Sequence, residues 1–162
     1  MMRLLLHRQR GFTLIELMVT LTILAVLASV ALPLTQVAAK RSRENELRRA
    51  LWTIRDGIDA YKRAFEEGRI RRSADDTGYP PSLAVLETGV TDQRDNRGPR
   101  IFFVRRIPRD PTCDCPERSN IDTWGVRSYA STADNPQPGR DVYDVHSLSL
   151  DLGSNGIPYR QW

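Results

Sequence analysis

Hydrophobic residues dominate one long segment near the start of the chain. From Phe12 to Leu34 the sequence reads FTLIELMVTLTILAVLASVALPL, and its only charged side chain is that of Glu16. As an α-helix this segment is about 34 Å long, which is enough to cross a hydrocarbon core of about 30 Å. The pattern therefore predicts a membrane-inserted helix over residues 12–34.

An amphipathic pattern follows the apolar segment. After Pro33 the chain contains no glycine until Gly57, and apolar residues recur at spacings of three and four between charged ones. These apolar positions are Leu47, Ala50, Leu51, Ile54, Ile58, Tyr61 and Phe65. We expect one long helix that ends near Gly68 and packs the apolar stripe of its second half on a globular head. Because proline lacks a backbone N–H, Pro33 should kink this helix.

Beyond the helix the pattern becomes short and irregular. Ser82, followed by Leu83-Ala84-Val85-Leu86, predicts a short capped helix that closes at Gly89. Short strands are predicted at Ile101–Val104, around Tyr129 and at Val142–Leu150. The expected fold class is α+β: a long N-terminal helix packed on a small antiparallel β-sheet, with a loop-rich C-terminal region.

Composition narrows the range of functions. The chain has 162 residues and a formal net charge of +4, but Arg3, Arg8 and Arg10 supply three of those charges at one end. No large basic face for nucleic acid is therefore expected. Two cysteines are too few for a disulfide-dense domain or a four-cysteine zinc site, and two histidines, His7 and His146, leave little for a histidine-based metal centre or catalytic triad. No nucleophile–base pair or glycine-rich phosphate loop is apparent, so the composition argues against an enzyme.

Glu16 helps to distinguish three explanations of the apolar segment. It could belong to a secretory signal peptide cleaved near Ala31, to an ordinary anchor, or to a helix whose basic leader is cut after Gly11. A carboxylate in a membrane helix costs several kcal/mol unless it is paired. Cleavage after Gly11 would create an amine on Phe12, which could pair with Glu16 of a neighbouring subunit. Such a pair at 4 Å is worth about 4 kcal/mol at an effective dielectric near 20.

The run Gly11-Phe12-Thr13-Leu14-Ile15-Glu16-Leu17-Met18-Val19 resembles the processing motif of type IV pilins and type II secretion pseudopilins. The resemblance implies cleavage between Gly11 and Phe12 by a prepilin peptidase, N-methylation of Phe12, an assembly role for Glu16 and a helix kink at Pro33. It also implies three parts. These are a leader at residues 1–11, a transmembrane and assembly helix at 12–34, and a periplasmic head at 35–162 that includes the amphipathic half of the helix.

The C-terminal half resembles the major, G-type pseudopilin. The segments that carry this resemblance are YPPSL at 79–83, IPRDP at 107–111, WGVRSY at 124–129, DVYDVHS at 141–147 and GIPYRQW at 156–162. In that family Asp-Pro runs directly into Trp-Gly, whereas twelve residues, Thr112 to Thr123, intervene here. The insertion favours a variant branch of the family.

This resemblance implies a structural subunit of a type II secretion pseudopilus, not an enzyme. Its expected partners are copies of itself in a filament, minor pseudopilins, the prepilin peptidase and the inner-membrane secretion platform, with no nucleic acid. The expected location is the inner membrane, with the N-terminus cytoplasmic before processing and the head periplasmic. Two alternatives stay open: a type IV pilin for adhesion, motility or DNA uptake, and a periplasmic protein with a signal peptide and a mature start near Leu32.

Two cysteines lie two positions apart in the insertion, at Cys113 and Cys115. Thiols outside the cytoplasm tend to oxidise, but a bond between residues so close closes a tight ring. A disulfide within or between subunits, free thiols and a metal ligand pair are therefore three alternatives.

Acidic residues bracket a loop rich in proline and glycine near the C-terminus; they are Asp134, Asp141, Asp144 and Asp151. Calcium takes about six to eight oxygen ligands and suits irregular backbone of this kind. From the residues alone, solvated loop acids are the simpler interpretation. The resemblance to G-type pseudopilins implies calcium, with Asp144 and Asp134 as candidate ligands.

Overall fold

A computed structural model describes residues 11–73, 75–95 and 98–162, with the side chains of residues 30–34 left out. Two helices and four strands follow one another as α1 (Leu14–Glu66), α2 (Leu83–Thr88), β1 (Val90–Thr91), β2 (Arg100–Ile101), β3 (Trp124–Arg127) and β4 (Asp144–Ser147). Two 3₁₀ turns, Ile121–Thr123 and Tyr159–Gln161, flank β3 and the end of the chain. The chain divides into two compact units, the first ending at Lys40 and the second beginning at Arg41.

The long helix expected from the sequence is confirmed: α1 is continuous over 53 residues. It ends in a Schellman motif, in which the Gly68 N–H donates to Phe65 O at 3.0 Å and the Arg69 N–H to Ala64 O at 2.9 Å. Gly68 has a φ of 72°, a left-handed conformation that glycine adopts without steric cost. The kink expected at Pro33 falls where side chains are outside the described set, so it stays a prediction.

The apolar stripe of the second half of α1 forms the centre of the core. Leu47, Ile54 and Ile58 are at most 1% exposed, and burying each stabilises the fold by roughly 1.5–3 kcal/mol. They share one cluster with buried residues of the later segments, namely Leu83, Leu86, Val104, Ile107, Trp124, Val142, Val145 and Tyr159. Gly57 lets the loop after β2 approach α1 closely, since an added Cβ would lie 2.7 Å from Val104 Cγ1.

The short helix is also confirmed, because α2 ends at Thr88 and Gly89 follows with a φ of 72°. The strand expected at Ile101–Val104 is wrong beyond Ile101, which pairs with Val90 across β1 and β2. The backbone N–H groups of the next residues turn towards α2: those of Phe103 and Val104 donate to Leu86 O at 3.0 and 3.1 Å. The packing of this segment on α2 therefore replaces the ladder that its apolar run suggested.

The sheet consists of two separate antiparallel pairs, β1–β2 and β3–β4, where the sequence suggested a single one. The strand expected around Tyr129 lies slightly earlier, at Trp124–Arg127, and the one expected at Val142–Leu150 contracts to Asp144–Ser147. Gly125 faces His146 across this pair, and a Cβ at Gly125 would overlap the imidazole ring. The glycine thus makes room for His146 between the strands.

The twelve-residue insertion is closed at its base. The Asp110 N–H donates to Thr123 Oγ1 at 3.1 Å, and Trp124 Nε1 donates to Pro108 O at 2.8 Å. These bonds hold the two ends of the insertion side by side. Within it, Cys113 and Cys115 form a disulfide with a Cα–Cα distance of 5.3 Å.

Candidate functional site

The residues expected at the processing site immediately precede α1. Phe12 is 80% exposed, and a Cβ added at Gly11 would meet no atom within 4 Å. Within the described residues, a side chain at Gly11 would therefore meet no steric obstacle. Cleavage after Gly11 stays a prediction.

Glu16 lies in the first turn of α1. Its backbone N–H donates to Thr13 Oγ1 at 3.3 Å, and the Thr-x-x-Glu spacing is that of a capping box. A carboxylate in the first turn also interacts favourably with the helix dipole. The Thr13 hydroxyl thus caps the start of α1, a role that was not predicted from the sequence. The expected pairing of Glu16 with a neighbour's Phe12 amine stays a prediction.

The first unit presents a continuous apolar surface. Its large hydrophobic side chains are more than half exposed, at Phe12, Leu14, Ile15, Leu17, Met18, Val19, Leu21, Ile23, Leu24, Val26 and Leu27. Soluble monomers rarely expose contiguous apolar surface of this extent, so another molecule is expected to cover it.

Among the side chains that the structure describes, no helix has the length and hydropathy that a membrane crossing requires.

In the head, Asp144 joins three segments of the chain. Its Oδ1 accepts hydrogen bonds from Arg55 Nε and the Val145 N–H, both at 2.8 Å, and its Oδ2 accepts one from Arg127 Nη2 at 3.1 Å. Arg55 Nη2 also donates to the backbone oxygens of Val145 and Trp162, at 3.1 and 3.0 Å. We call Arg55, Arg127 and Asp144 the Asp144 cluster; it ties α1 to β3, β4 and the last residue.

The electrostatics of this cluster favour the ionised carboxylate. Burial by itself would raise the pKa of the Asp144 carboxyl, but the hydrogen bond and charge of Arg55, with the Val145 and Arg127 donors, outweigh it. The pKa of Asp144 therefore lies below its usual range. The three side chains are only 17 to 35% exposed, so water screens these contacts less than it screens a surface pair.

A buried acid, Asp141, organises the loop that precedes β4. Its Oδ1 accepts from Ser128 Oγ at 2.7 Å and from the Tyr129 N–H at 2.9 Å, and its Oδ2 accepts from the Thr77 hydroxyl. Burial opposes ionisation, yet these hydrogen bonds hold the pKa of Asp141 below its usual range. The sequence placed Asp141 among the loop acids without identifying this role.

The two candidate calcium ligands have different surroundings. Asp134 is exposed on its loop, whereas both oxygens of Asp144 accept hydrogen bonds, two of them from guanidinium cations. A divalent cation at Asp144 would lie beside two positive charges, so these residues do not fit a calcium site. Within the described residues, no group of three or more His, Cys, Asp or Glu side chains is placed to hold a metal. Calcium binding stays a prediction that this geometry does not favour.

Among the buried carboxylates that sequence reasoning missed, Glu44 joins the most distant parts of the chain. It is 4% exposed, and its Oε1 accepts from the Ser154 N–H and hydroxyl, both at 2.7 Å. The Tyr159 hydroxyl donates to the same oxygen at 3.1 Å. Burial, followed by this hydrogen bond, raises the pKa of Tyr159. The signal lay in the spacing, because Glu44 precedes Leu47 and Leu51 in phase with the apolar stripe.

Comparison with known proteins finds similarity at both ends of the chain. Residues 6–32 match the family model described as "Prokaryotic N-terminal methylation motif". The chain is 28% identical over 149 residues to type II secretion system core protein G of Pectobacterium carotovorum, covering 90% of this chain and 88% of that protein. The corresponding protein of Vibrio cholerae is 28% identical over 155 residues, covering 93% of this chain and 86% of its own. That of Pseudomonas aeruginosa is 27% identical over 155 residues, with coverages of 93% and 89%.

No solved structure is significantly similar to this chain. The methylation motif lies at the start of α1, where Phe12 and Glu16 flank the helix cap, and the similarity to core protein G continues through the head. Together these findings show a chain that is similar to type II secretion system core protein G over most of its length, and they support a major pseudopilin.

Proposed function

We propose that this chain is a structural subunit of a type II secretion pseudopilus. A prepilin peptidase cleaves it between Gly11 and Phe12, and Phe12 is then methylated at its amine. Residues 12–34 hold the subunit in the inner membrane, with the head in the periplasm, until it joins a filament of identical subunits. The observation that carries this proposal is the exposed apolar surface of the first half of α1, which lies within the segment that matches the methylation motif, residues 6–32.

The two halves of α1 differ in how much apolar surface the single subunit leaves exposed, and this difference favours assembly. In the head, the apolar stripe is buried within the chain itself, so it needs no neighbouring subunit to cover it. In the first unit the apolar side chains remain exposed and gain free energy when lipid or neighbouring helices cover them. Pairing of Glu16 with a neighbour's Phe12 amine would favour neighbouring helices over lipid, because lipid offers the carboxylate no partner.

Growth of such a filament from the inner membrane would push folded proteins through an outer-membrane channel. The energy would come from a cytoplasmic ATPase elsewhere in the machine, with minor pseudopilins and the inner-membrane platform as further partners. The methylation motif is shared with type IV pilins, and the similarity to core protein G along the head favours a pseudopilus over an extracellular pilus.

The experiment is production of the full chain in a bacterial host with and without a prepilin peptidase. Mass spectrometry should find a mature chain that starts at methylated Phe12 only when the peptidase is present. Electron microscopy of the same cells should show filaments under that condition alone. A mature start near Leu32, or filaments made of unprocessed chains, would contradict the proposal.

A further inference from the structure

The oxygen atoms that bind Arg55 are of the types that usually bind a metal cation in proteins. A carboxylate oxygen of Asp144 and the backbone oxygens of Val145 and Trp162 all lie within 3.1 Å of the Arg55 guanidinium nitrogens. Carboxylate and carbonyl oxygens are also the ligands that calcium takes in proteins. We propose that the Asp144 cluster is a metal-free lock, in which two arginines supply the positive charge that calcium would supply in a related head.

Both arginines are held in place by further contacts. Arg127 lies directly opposite Asp144 in the β3–β4 register, and its guanidinium stacks over the Tyr143 ring at 4.6 Å from the ring centre. Arg55 extends from α1 one residue after Ile54, which is fully buried. A planar guanidinium fixed in this way makes directed hydrogen bonds to several oxygens at once, as a ligated ion does.

The charges leave no place for a divalent ion at Asp144. One carboxylate already faces two cations, at 2.8 and 3.1 Å. Calcium would have to displace Arg55 from all three of its oxygen partners and would leave that guanidinium partly buried without them. Such a displaced charge is costly, so the exchange is unfavourable.

The other task of a bound ion, holding the loop before β4, is also performed by the chain. The prolines and glycine of residues 136–139 prevent a regular ladder there. Instead, the Asp141 carboxylate binds Ser128, Tyr129 and Thr77, and the Ser128 N–H donates to Gln137 O at 2.9 Å. The loop is thus held from both sides by contacts with other protein groups.

The test is thermal unfolding of the full chain in detergent micelles, followed by near-ultraviolet circular dichroism, in millimolar CaCl₂ and in EGTA. The midpoint should be the same in both, and terbium, a luminescent substitute for calcium, should show no saturable binding at micromolar concentration. A midpoint raised by about 4 °C or more in calcium, with the rise lost in Asp144→Asn, overturns the proposal.

Two arginine variants test the lock itself. Arg55→Gln and Arg127→Gln should each lower the midpoint equally in calcium and in EGTA, because each removes a charge from the cluster. The matched control is Arg49→Gln, since Arg49 is an exposed arginine of the same helix. If both cluster variants unfold at the wild-type temperature, the arginines do not form a lock.

If neither variant folds, the wild-type calcium and terbium measurements still decide between arginine and metal. None of these measurements requires a filament, so their outcome is separate from that of the proposed function.

Discussion

The Tyr159 hydroxyl donates a hydrogen bond to Glu44 Oε1 at 3.1 Å, joining residues 115 positions apart in the sequence. Glu44 lies in the part of α1 that belongs to the head, and Tyr159 lies in the last 3₁₀ turn. Ser154 donates to the same carboxylate oxygen through both its N–H and its hydroxyl. A single buried carboxylate therefore anchors the C-terminal segment to the second half of α1.

Replacing this carboxylate should destabilise the head. In Glu44→Ala the Ser154 and Tyr159 donors lose their acceptor, and a buried polar group left unsatisfied costs about 1–3 kcal/mol. We expect a lower midpoint in denaturant unfolding of the full chain in detergent. The control is Glu46→Ala, two positions along the same helix and exposed. Equal midpoints for the two variants would show that Glu44 does not anchor the C-terminal segment.

Processing should depend on Gly11 although folding does not. Because a Cβ at Gly11 meets no atom within 4 Å, Gly11→Val should leave the helix and head unchanged. We expect the variant to keep its leader in the presence of prepilin peptidase, as measured by the intact mass. Thr13→Ser, which preserves the helix-capping hydroxyl, should be cleaved as in the wild type. Normal cleavage of Gly11→Val would remove the basis for a peptidase that requires glycine.

Assembly should depend on the charge of Glu16 more than on the helix cap. Glu16→Gln keeps the size of the side chain but cannot form an ion pair with a Phe12 amine, so filament yield in a crosslinking assay should fall. Thr13→Ala removes the capping oxygen, at a cost of about 0.5–2 kcal/mol, while the charge stays. This control separates the contribution of the helix cap from the expected role of the Glu16 charge between subunits. If Thr13→Ala loses filaments as Glu16→Gln does, the helix start is what matters and the intersubunit pair is not supported.

Stability should fall in acid through two aspartates of the head, the buried Asp141 and the partly buried Asp144. The pKa values of Asp144 and Asp141 are both lowered in the folded chain, so ionisation of each stabilises the fold at pH values above the ordinary aspartate pKa of about 3.9. That contribution is lost as the pH falls below this value and through the folded-state pKa. Unfolding midpoints measured from pH 7 to pH 2 should therefore fall most steeply below about pH 4.

Variants identify the groups responsible for this acid sensitivity. Asp144→Asn and Asp141→Asn should each have a lower midpoint at pH 7 and a flatter pH profile, because neither side chain can ionise. Asp134→Asn is the matched control, since Asp134 is exposed on the neighbouring loop. A profile for Asp144→Asn that parallels the wild type over the whole range would contradict the lowered pKa of Asp144.

Features set by neighbouring residues were predictable from the sequence alone. The period of the apolar stripe and the glycine at Gly68 located the second half of α1 and its end, since helix hydrogen bonds and caps join residues at most five positions apart. The processing motif is likewise one short run of residues, and the family model that matches it spans residues 6–32. The closing glycine of α2, Gly89, was predicted for the same reason.

Only the tertiary structure decided the contacts between distant residues. The apolar run at 101–104 is equally compatible with a strand or a packed loop, and its bonds to Leu86 settle the outcome. The family resemblance implied that Asp144 is a metal ligand, and the local sequence gives no sign of its pairing with Arg55, 89 positions earlier. Periodicity and caps act over a few residues, whereas a buried charge is neutralised by whichever opposite charge the folded chain brings within about 3 Å, and no local pattern specifies that partner.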